Sequence, residues 1–362
     1  MLLYIIIAII MFGLLIAIHE FGHFIAAKSL GVKVNEFAIG MGPKLLSRQK
    51  GETLYSLRAL PIGGFCAMEG EEEASNDPRA FHNKPAWKKF IILVAGAFMN
   101  FAAGVLIILL LFSQAAGFTA PVVTGYFDGA QVLEEQGLLT GDRLYRVDGH
   151  RIYSNSDALL FLDRAGDTVD LEVLRGGERV LLEDFYFPRQ YPSETESGTV
   201  YKRGIYIGAA EEATPALILK NTWYQSIDYV RMVWISLGDL FTGAVGIKDM
   251  SGAIGIVTIL GQAGEQGAAE AVENNTSPLL GAANAILNFV AFIAINLAVM
   301  NLLPIPALDG GQILFLVVGG IYHLFTRKRI DQKYLSYINM AGFFCLIALM
   351  AVVAVNDVVK LF

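Results

Sequence analysis

The chain has 362 residues, of which 54% are hydrophobic and only 17% are charged. A water-soluble fold with so few charges would expose large apolar patches, so the composition favours a membrane protein. The net charge of −7 offers no basic surface for a phosphate backbone and argues against nucleic acid as a partner. The spacing of Cys66 and Cys345 is not that of a metal site, and we expect both to be buried thiols.

An apolar run begins at Leu2 and continues to Lys28 with one polar interruption. It has neither the basic start nor the small-residue cleavage site of a secretory signal, so we interpret residues 1–28 as a first transmembrane helix. The interruption is an HExxH pattern formed by His19, Glu20 and His23. Residues i and i+4 share a helix face, so both imidazoles can bind one metal ion, with Glu20 beside them as a base. The alternative is a satisfied polar patch between two packed helices.

Residues 29–89 are predicted to form a β-hairpin outside the first helix. The stretch from Tyr55 to Leu60 alternates like a strand, and glycines lie near the expected turns, in Gly40-Met41-Gly42-Pro43 and in Pro61-Ile62-Gly63-Gly64-Phe65. We interpret the acidic cluster from Glu69 to Glu73 as a solvated loop rather than a metal site.

Three further apolar segments have the length of about 20 residues that a membrane helix needs. They are 90–113, a third span from about Ala285 into Leu303, and a fourth from about Met340 to Val355. Ten Lys and Arg residues lie between Lys28 and Lys89, and a further basic group precedes the fourth span. The positive-inside rule therefore predicts that both loops are cytoplasmic, with both termini outside.

The external segment is predicted to begin with a small α/β domain at 118–188. Strands are expected near Val122 to Tyr126, Arg143 to Val147 and Val169 to Leu174, with a helix near Asp157 to Arg164 capped by Ser154 or Ser156. The run from Gly137 to Ile152 resembles a PDZ domain of the bacterial type, although a spacer without a ligand stays open. PDZ domains bind an extended peptide at a sheet edge.

Residues 189–281 are predicted to be extracytoplasmic or interfacial. Trp223 to Phe241 has amphipathic helical spacing and is suited to lie along the membrane surface. Ser251 to Ile256 is rich in glycine and is interpreted as a turn or a close-approach loop.

Two histidines do not complete a catalytic zinc site, which usually has three protein ligands and one open position. His82, His150 and His323 are interpreted as plain polar residues. Asp309 is the better third ligand, because Pro304 and Pro306 break the helix before it, and irregular backbone at membrane depth lines protein cavities.

The predicted topology also allows the three ligands to meet. The first and third spans both run from outside to inside, which places His19, His23 and Asp309 in the same leaflet. Region 282–325 then contains the third span and a following helix. Region 326–362 contains a cytoplasmic loop and the fourth span.

These motifs resemble the site-2 protease family of intramembrane zinc metalloproteases, peptidase family M50, and in particular its bacterial regulator-of-sigma-E type. The resemblance implies His19, His23 and Asp309 as Zn²⁺ ligands, Glu20 as catalytic base and Asn301 as a substrate or oxyanion contact. It also implies that the hairpin near Gly63 and Gly64 is a re-entrant sheet that pairs with an unwound substrate. One departure is Ala97, in Ala95-Gly96-Ala97-Phe98-Met99-Asn100, where the family's GPxxN pattern has proline.

The expected fold is thus an α-helical integral membrane protein with about four transmembrane helices, a cytoplasmic re-entrant β-hairpin and an extracytoplasmic α/β PDZ domain. The resemblance implies regulated intramembrane proteolysis in the bacterial cytoplasmic membrane, with the active site toward the cytoplasm. The implied substrates are single-pass membrane proteins of the anti-sigma factor type and remnant signal peptides. A general quality-control protease, and a metal-dependent scaffold or metal transporter, are the alternatives.

Overall fold

A computed structural model describes residues 2–71, 75–195, 198–246, 252–327 and 332–360. The chain divides into two compact units, one comprising Met1–Ile108 and Tyr229–Phe362 and the other comprising Leu109–Asp228.

The elements follow one another in three stretches. The first contains α1 (Leu2–Ser29), β1 (Val34–Lys50), β2 (Thr53–Met68), a short 3-10 helix (Phe81–Asn83) and α2 (Ala86–Phe112). The second contains β3 (Gly117–Tyr126), α3 (Val132–Glu135), β4 (Arg143–Val147), β5 (His150–Arg151), α4 (Asn155–Arg164), β6 (Thr168–Arg175), β7 (Glu178–Tyr186), β8 (Tyr191–Thr195), β9 (Gly198–Lys202) and β10 (Ile205–Glu212). The third contains α5 (Pro215–Thr242), α6 (Ala253–Glu273), α7 (Pro278–Asn301), α8 (Asp309–Thr326) and α9 (Gln332–Val359).

Within the described ranges, four helices are long and apolar enough to cross a membrane. They are α1, α2, α7 and α9, with window hydropathies of 2.4, 2.5, 2.0 and 2.5. The prediction of four such helices is confirmed, although α7 and α9 begin about two turns earlier than their apolar runs. The difference arises because a helix continues into the polar interface, where hydropathy no longer marks it.

The β1–β2 pair folds into more than a simple hairpin. Phe37 pairs with both Cys66 and Tyr55, while Ser47 pairs with Ser56. Residues 34–39 of β1 are therefore a central segment, with β2 residues 64–68 on one side and 54–57 on the other. The predicted hairpin is confirmed, but its turn lies at Gly51, and Gly63 and Gly64 lie inside β2. Positive φ angles at Gly40, Gly42 and Gly63 mark the bends that let each long strand change partner.

The second unit contains an antiparallel sheet in the order β10-β3-β4-β6-β7, with β5 paired to β4. The predicted strands appear as β3, β4 and β6. The predicted helix is α4, and the Ser154 hydroxyl accepts a hydrogen bond from Asp157 N at its start. Strand β10 pairs with β3 and extends this sheet past residue 188, because strands far apart in sequence can be neighbours in a sheet.

Two predictions are wrong. Residues from Ala253 onward form the first turn of α6 rather than a loop, and Ser251 lies outside the described residues. The helix start is capped from a distance, since Gly252 N and Gly255 N donate to the Asp357 carboxylate, at 3.0 and 3.1 Å, and no local pattern reveals such a cap. Cys66 is buried as expected, but Cys345 is exposed on α9, because an apolar span can face lipid instead of protein.

Candidate metal centre

His19 and His23 lie one helical turn apart on α1 and point the same way. Both are buried, at 8% and 7% exposure. Their ring centroids are 4.8 Å apart, and their Nε2 atoms approach to 3.1 Å. The i, i+4 spacing thus brings two metal-binding nitrogens to one point, as the sequence predicts.

Asp309 reaches the same point from the far end of the chain. Helix α7 ends at Asn301, and Asp309 begins α8 after the proline-containing break. Its Oδ2 atom lies 3.1 Å from His19 Nε2 and 3.4 Å from His23 Nε2. Close packing at the break depends on Gly310, where an added Cβ would lie 2.2 Å from the backbone oxygen of Leu303.

The three donor atoms fit a tetrahedral zinc ion. Two ligands with bonds of 2.0 to 2.1 Å and a tetrahedral angle lie about 3.3 Å apart, and the donor triangle has sides of 3.1, 3.1 and 3.4 Å. Asp309 Oδ2 is buried, and apart from the two imidazole nitrogens it has no hydrogen-bond partner. A buried carboxylate oxygen of this kind needs a compensating group, which a cation would supply.

The outer nitrogens of the two imidazoles have different neighbours. His23 Nδ1 lies 2.8 Å from Ile92 O, to which it donates, and this leaves Nε2 free to bind a metal. His19 Nδ1 lies near two side-chain amides, at 3.3 Å from Asn301 Nδ2 and 3.5 Å from Asn100 Nδ2.

Glu20 lies beside the donor triangle and is held by the sheet. Its Oε2 atom accepts a hydrogen bond of 3.0 Å from Cys66 N in β2. Glu20, the three possible ligands and residues Phe65 to Met68 line one cavity of about 780 Å³. The carboxylate is therefore placed where it can take a proton from a water molecule in that cavity.

The outer part of the cavity is polar. Glu69 accepts hydrogen bonds from Ser75 Oγ at 2.5 Å, Asn35 Nδ2 at 2.9 Å and Lys33 Nζ at 3.2 Å. These contacts lower the pKa of Glu69 to about 2. Glu69 of the predicted acidic loop is thus fixed by three side-chain hydrogen bonds. Glu72 and Glu73 lie outside the described residues.

The remaining predicted residues fall into two groups. Asn301, partly exposed, contacts His19, and Gly64 lies against α1, where an added Cβ would be 3.7 Å from Glu20 Cγ. Gly63 is one residue farther along, at a bend of β2. His82 bonds to Gly70 O and His150 stacks on Phe161, and neither joins the metal group found among the described residues, which is His19, His23 and Asp309.

Sequence reasoning missed the contribution of α2. Gly96 and Asn100 both face the imidazoles: a Cβ added at Gly96 would lie 2.4 Å from His23 Nε2. The available signal is the stretch from Ala95 to Asn100, which resembles the GPxxN pattern but does not by itself reveal which side chains it faces.

Comparison with known proteins gives similarity along nearly the whole chain. The family described as Peptidase family M50 matches residues 7–349. A putative zinc metalloprotease of Clostridium perfringens is 36% identical over 359 residues, covering 99% of both chains. One from Fusobacterium nucleatum is 31% identical over 364 residues, covering 98% of both chains. The regulator of sigma-W protease RasP of Bacillus subtilis is 26% identical over 437 residues, covering 98% of both chains.

Proposed function

Because the chain belongs to peptidase family M50, we propose that its metal centre cleaves single-pass membrane proteins near the cytoplasmic face of the bilayer. The chain is a zinc metalloprotease and a multi-pass membrane protein. The observation that carries the proposal is the convergence of His19, His23 and Asp309 beside Glu20, on helices long and apolar enough to span a membrane or directly following one.

In this proposal His19 Nε2, His23 Nε2 and Asp309 Oδ2 hold the zinc ion. Zinc held by these residues would make a water molecule more acidic and would polarise a carbonyl group. Glu20 takes the proton of the attacking water and delivers it to the leaving amine. Asn301, partly exposed at the edge of the site, donates its amide N–H to the oxygen that gains negative charge.

The β1–β2 sheet is proposed to enter the membrane beside α1. A Cβ added at Gly13 would lie 2.6 Å from Pro61 O, so this part of β2 lies against the middle of α1. Fifteen residues separate Gly13 from Lys28, which corresponds to about 22 Å along the helix. Leu45 and Leu46, at 62% and 68% exposure, give the sheet an apolar surface suited to lipid.

The same sheet is proposed to hold the substrate. A transmembrane helix hides its carbonyl groups in internal hydrogen bonds, so it must be extended before attack. Residues 64–68 of β2 pair with β1 on one side, and Phe65 to Met68 line the cavity. A peptide added along this edge would be extended and next to Glu20.

The second unit is proposed to be a PDZ domain outside the cytoplasm that selects substrates. The five-strand antiparallel order with β7 and β10 at its ends, and the helix α4 packed on β3 and β4, support this proposal. The outside location of both termini and the cytoplasmic location of the site are part of the same proposal, and β10 extends the proposed domain beyond the predicted bounds 118–188. A membrane-impermeant thiol reagent applied to intact cells should label Glu178→Cys and not Arg79→Cys, in a background without the native cysteines.

The proposed substrates are membrane-anchored proteins of the anti-sigma factor type, with remnant signal peptides as a second group. The name of the Bacillus subtilis relative connects that protein with the regulation of a sigma factor. Both groups present a single apolar helix, which matches a site at membrane depth.

The test is cleavage of a purified single-span substrate by the full chain in detergent, with zinc measured in the same samples. Glu20→Gln should keep zinc and lose about 100- to 10,000-fold in rate, because it removes only the base. Asp309→Asn should lose both zinc and activity. The matched control Glu52→Gln changes a carboxylate that pairs with Lys28 and Arg79 away from the cavity, and it should retain both. Undiminished cleavage by Glu20→Gln would refute the assigned base, and full zinc retention by Asp309→Asn would refute the assigned ligand set.

A further inference from the structure

Two residues of α2, one helical turn apart, face the proposed metal ligands. Gly96 and Asn100 are both buried, and Asn100 is only 1% exposed. Neither is a metal ligand. Gly96 nevertheless lies against both imidazoles and Asn100 lies at His19, so each can affect whether these rings are placed to bind zinc.

Gly96 makes room for both rings. A Cβ at this position would lie 2.4 Å from His23 Nε2, 2.7 Å from His19 Cε1 and 2.8 Å from His19 Nε2. Distances under 3.0 Å are essentially never found for real Cβ atoms, so a side chain here would displace the rings. The displaced atoms would include both nitrogens of the donor triangle.

Asn100 lies at the opposite nitrogen of His19. A neutral imidazole that binds a metal through Nε2 carries its proton on Nδ1, which then needs an acceptor. Asn100 Nδ2 lies 3.5 Å from Nδ1, and Asn100 Oδ1 is buried with no hydrogen-bond partner. Nitrogen and oxygen of a side-chain amide are assigned from such networks, and exchanging them gives the buried oxygen the Nδ1–H as donor. This exchange gives the His19 Nδ1–H an acceptor and places the Asn100 N–H₂ where the structure has Oδ1.

We propose that α2 completes the metal centre: Gly96 leaves the space in which both imidazoles converge, and the Asn100 carboxamide oxygen accepts the His19 Nδ1–H and so directs Nε2 to zinc. Both are positioning residues. The inference rests on the proposed function only in taking His19 and His23 as zinc ligands. The proposal also gives different roles to the two side-chain amides near His19. Buried Asn100 orients the imidazole, and the more exposed Asn301 stays available to the substrate.

The first test compares Gly96→Ala with Gly104→Ala in the purified full chain. Both changes add one methyl group to α2, and a Cβ at Gly104 would meet Ile295 at 2.6 Å rather than the metal site. Zinc affinity is measured by competition with a chelator, and folding by thermal unfolding. We expect Gly96→Ala to bind zinc at least about 10- to 100-fold more weakly, the range typical of outer-shell changes. Gly104→Ala should lower the unfolding temperature but keep the wild-type affinity.

The second test compares Asn100→Leu with Asn100→Asp. Leucine has a similar size without an acceptor, whereas aspartate can only accept. We expect Asn100→Leu to weaken zinc binding by about 10- to 100-fold and Asn100→Asp to retain most of the affinity. With zinc removed by chelator, His19 can carry its proton on Nε2 beside Asp309 and no longer needs the Asn100 acceptor, so Asn100→Leu should unfold close to the wild-type temperature. Its deficit should appear only when zinc is added.

Four outcomes would overturn the proposal. They are wild-type zinc affinity in Gly96→Ala, an equal loss of affinity in Gly104→Ala, equal losses in Asn100→Leu and Asn100→Asp, and a deficit of Asn100→Leu that is the same with and without zinc. Failure of the proposed function has a different signature. In that case wild-type protein itself would not bind zinc through His19 and His23, and Asp309→Asn would leave zinc binding unchanged.

Discussion

Substitution of Gly64 by alanine tests the link between the β1–β2 sheet and Glu20, the proposed catalytic base. A Cβ at this position would lie 2.9 Å from the backbone oxygen of Ala38, whereas ordinary contacts begin at 3.4 Å. The two strand segments must therefore separate by about 0.5 Å. Cys66, two residues along β2, donates to Glu20 at 3.0 Å, and a shift of this size would misalign this hydrogen bond.

The lost hydrogen bond sets the size of the effect. A hydrogen bond to a charged group contributes about 1.5 to 3 kcal/mol, which corresponds to a fall in kcat of about 10- to 100-fold if the base loses its orientation. Zinc affinity should be unchanged, because no ligand moves. The assay is cleavage of a single-span substrate at saturation, with zinc measured in parallel.

Gly51→Ala is the matched control. It lies at the turn of the same sheet, where an added Cβ meets nothing within 4 Å. Its positive φ of 61° makes alanine cost about 1 kcal/mol of stability, but activity should not change. A kcat for Gly64→Ala within about twofold of wild type, or an equal loss in Gly51→Ala, would refute the reasoning.

Further predictions concern stability. Arg203 is 6% exposed and donates to four backbone carbonyls, so Arg203→Met should lower the unfolding free energy of the second unit by about 3 to 5 kcal/mol, measured by pulse proteolysis. Arg179→Met, at 58% side-chain exposure, should change it by about 0.5 kcal/mol or less. The folded pKa of Glu69 is about 2 against 4.5 normally. The contribution of Glu69 to folding stability is therefore complete above pH 4.5 and is lost as the pH falls toward 2. The unfolding temperature of Glu69→Gln should consequently change less than that of the wild type between these pH values. Gly267→Ala would place a Cβ 2.5 Å from a backbone oxygen of α7 and should destabilise by about 1 to 3 kcal/mol, whereas Gly238→Ala, with nothing within 4 Å, should not.

The parts of the site that follow from local spacing could be predicted from the sequence. His19 and His23 share a helix face because of the 3.6-residue period of the α-helix. The charges of the loops predict, through the positive-inside rule, that Asp309 lies in the same leaflet. The four apolar helices are equally local, since each is one long run. Their ends were less predictable, because the interface favours polar residues inside a continuing helix.

The parts that depend on distant contacts could not be predicted. Asp357 caps α6 across 105 residues of sequence, and β10 pairs with β3 from outside the predicted domain. Gly96 and Asn100 look like ordinary residues of an apolar helix, and their role exists only because α2 packs against the imidazoles. A glycine or asparagine in a span gives no sign of which neighbour it faces.

The position of Glu20, the proposed base, explains why the proposed re-entrant sheet and metal centre would occur together in one enzyme. Glu20 is held by a backbone N–H of β2, so the strand that orients the base also forms the proposed edge for the substrate. A substrate that stays helical has no free backbone groups to pair there, and its carbonyl groups remain blocked. Pairing would therefore select an unwound peptide and place it at the level of Glu20 in the same step. Selection by unwinding would need no particular side chain in the substrate, only a segment that can leave its helical conformation.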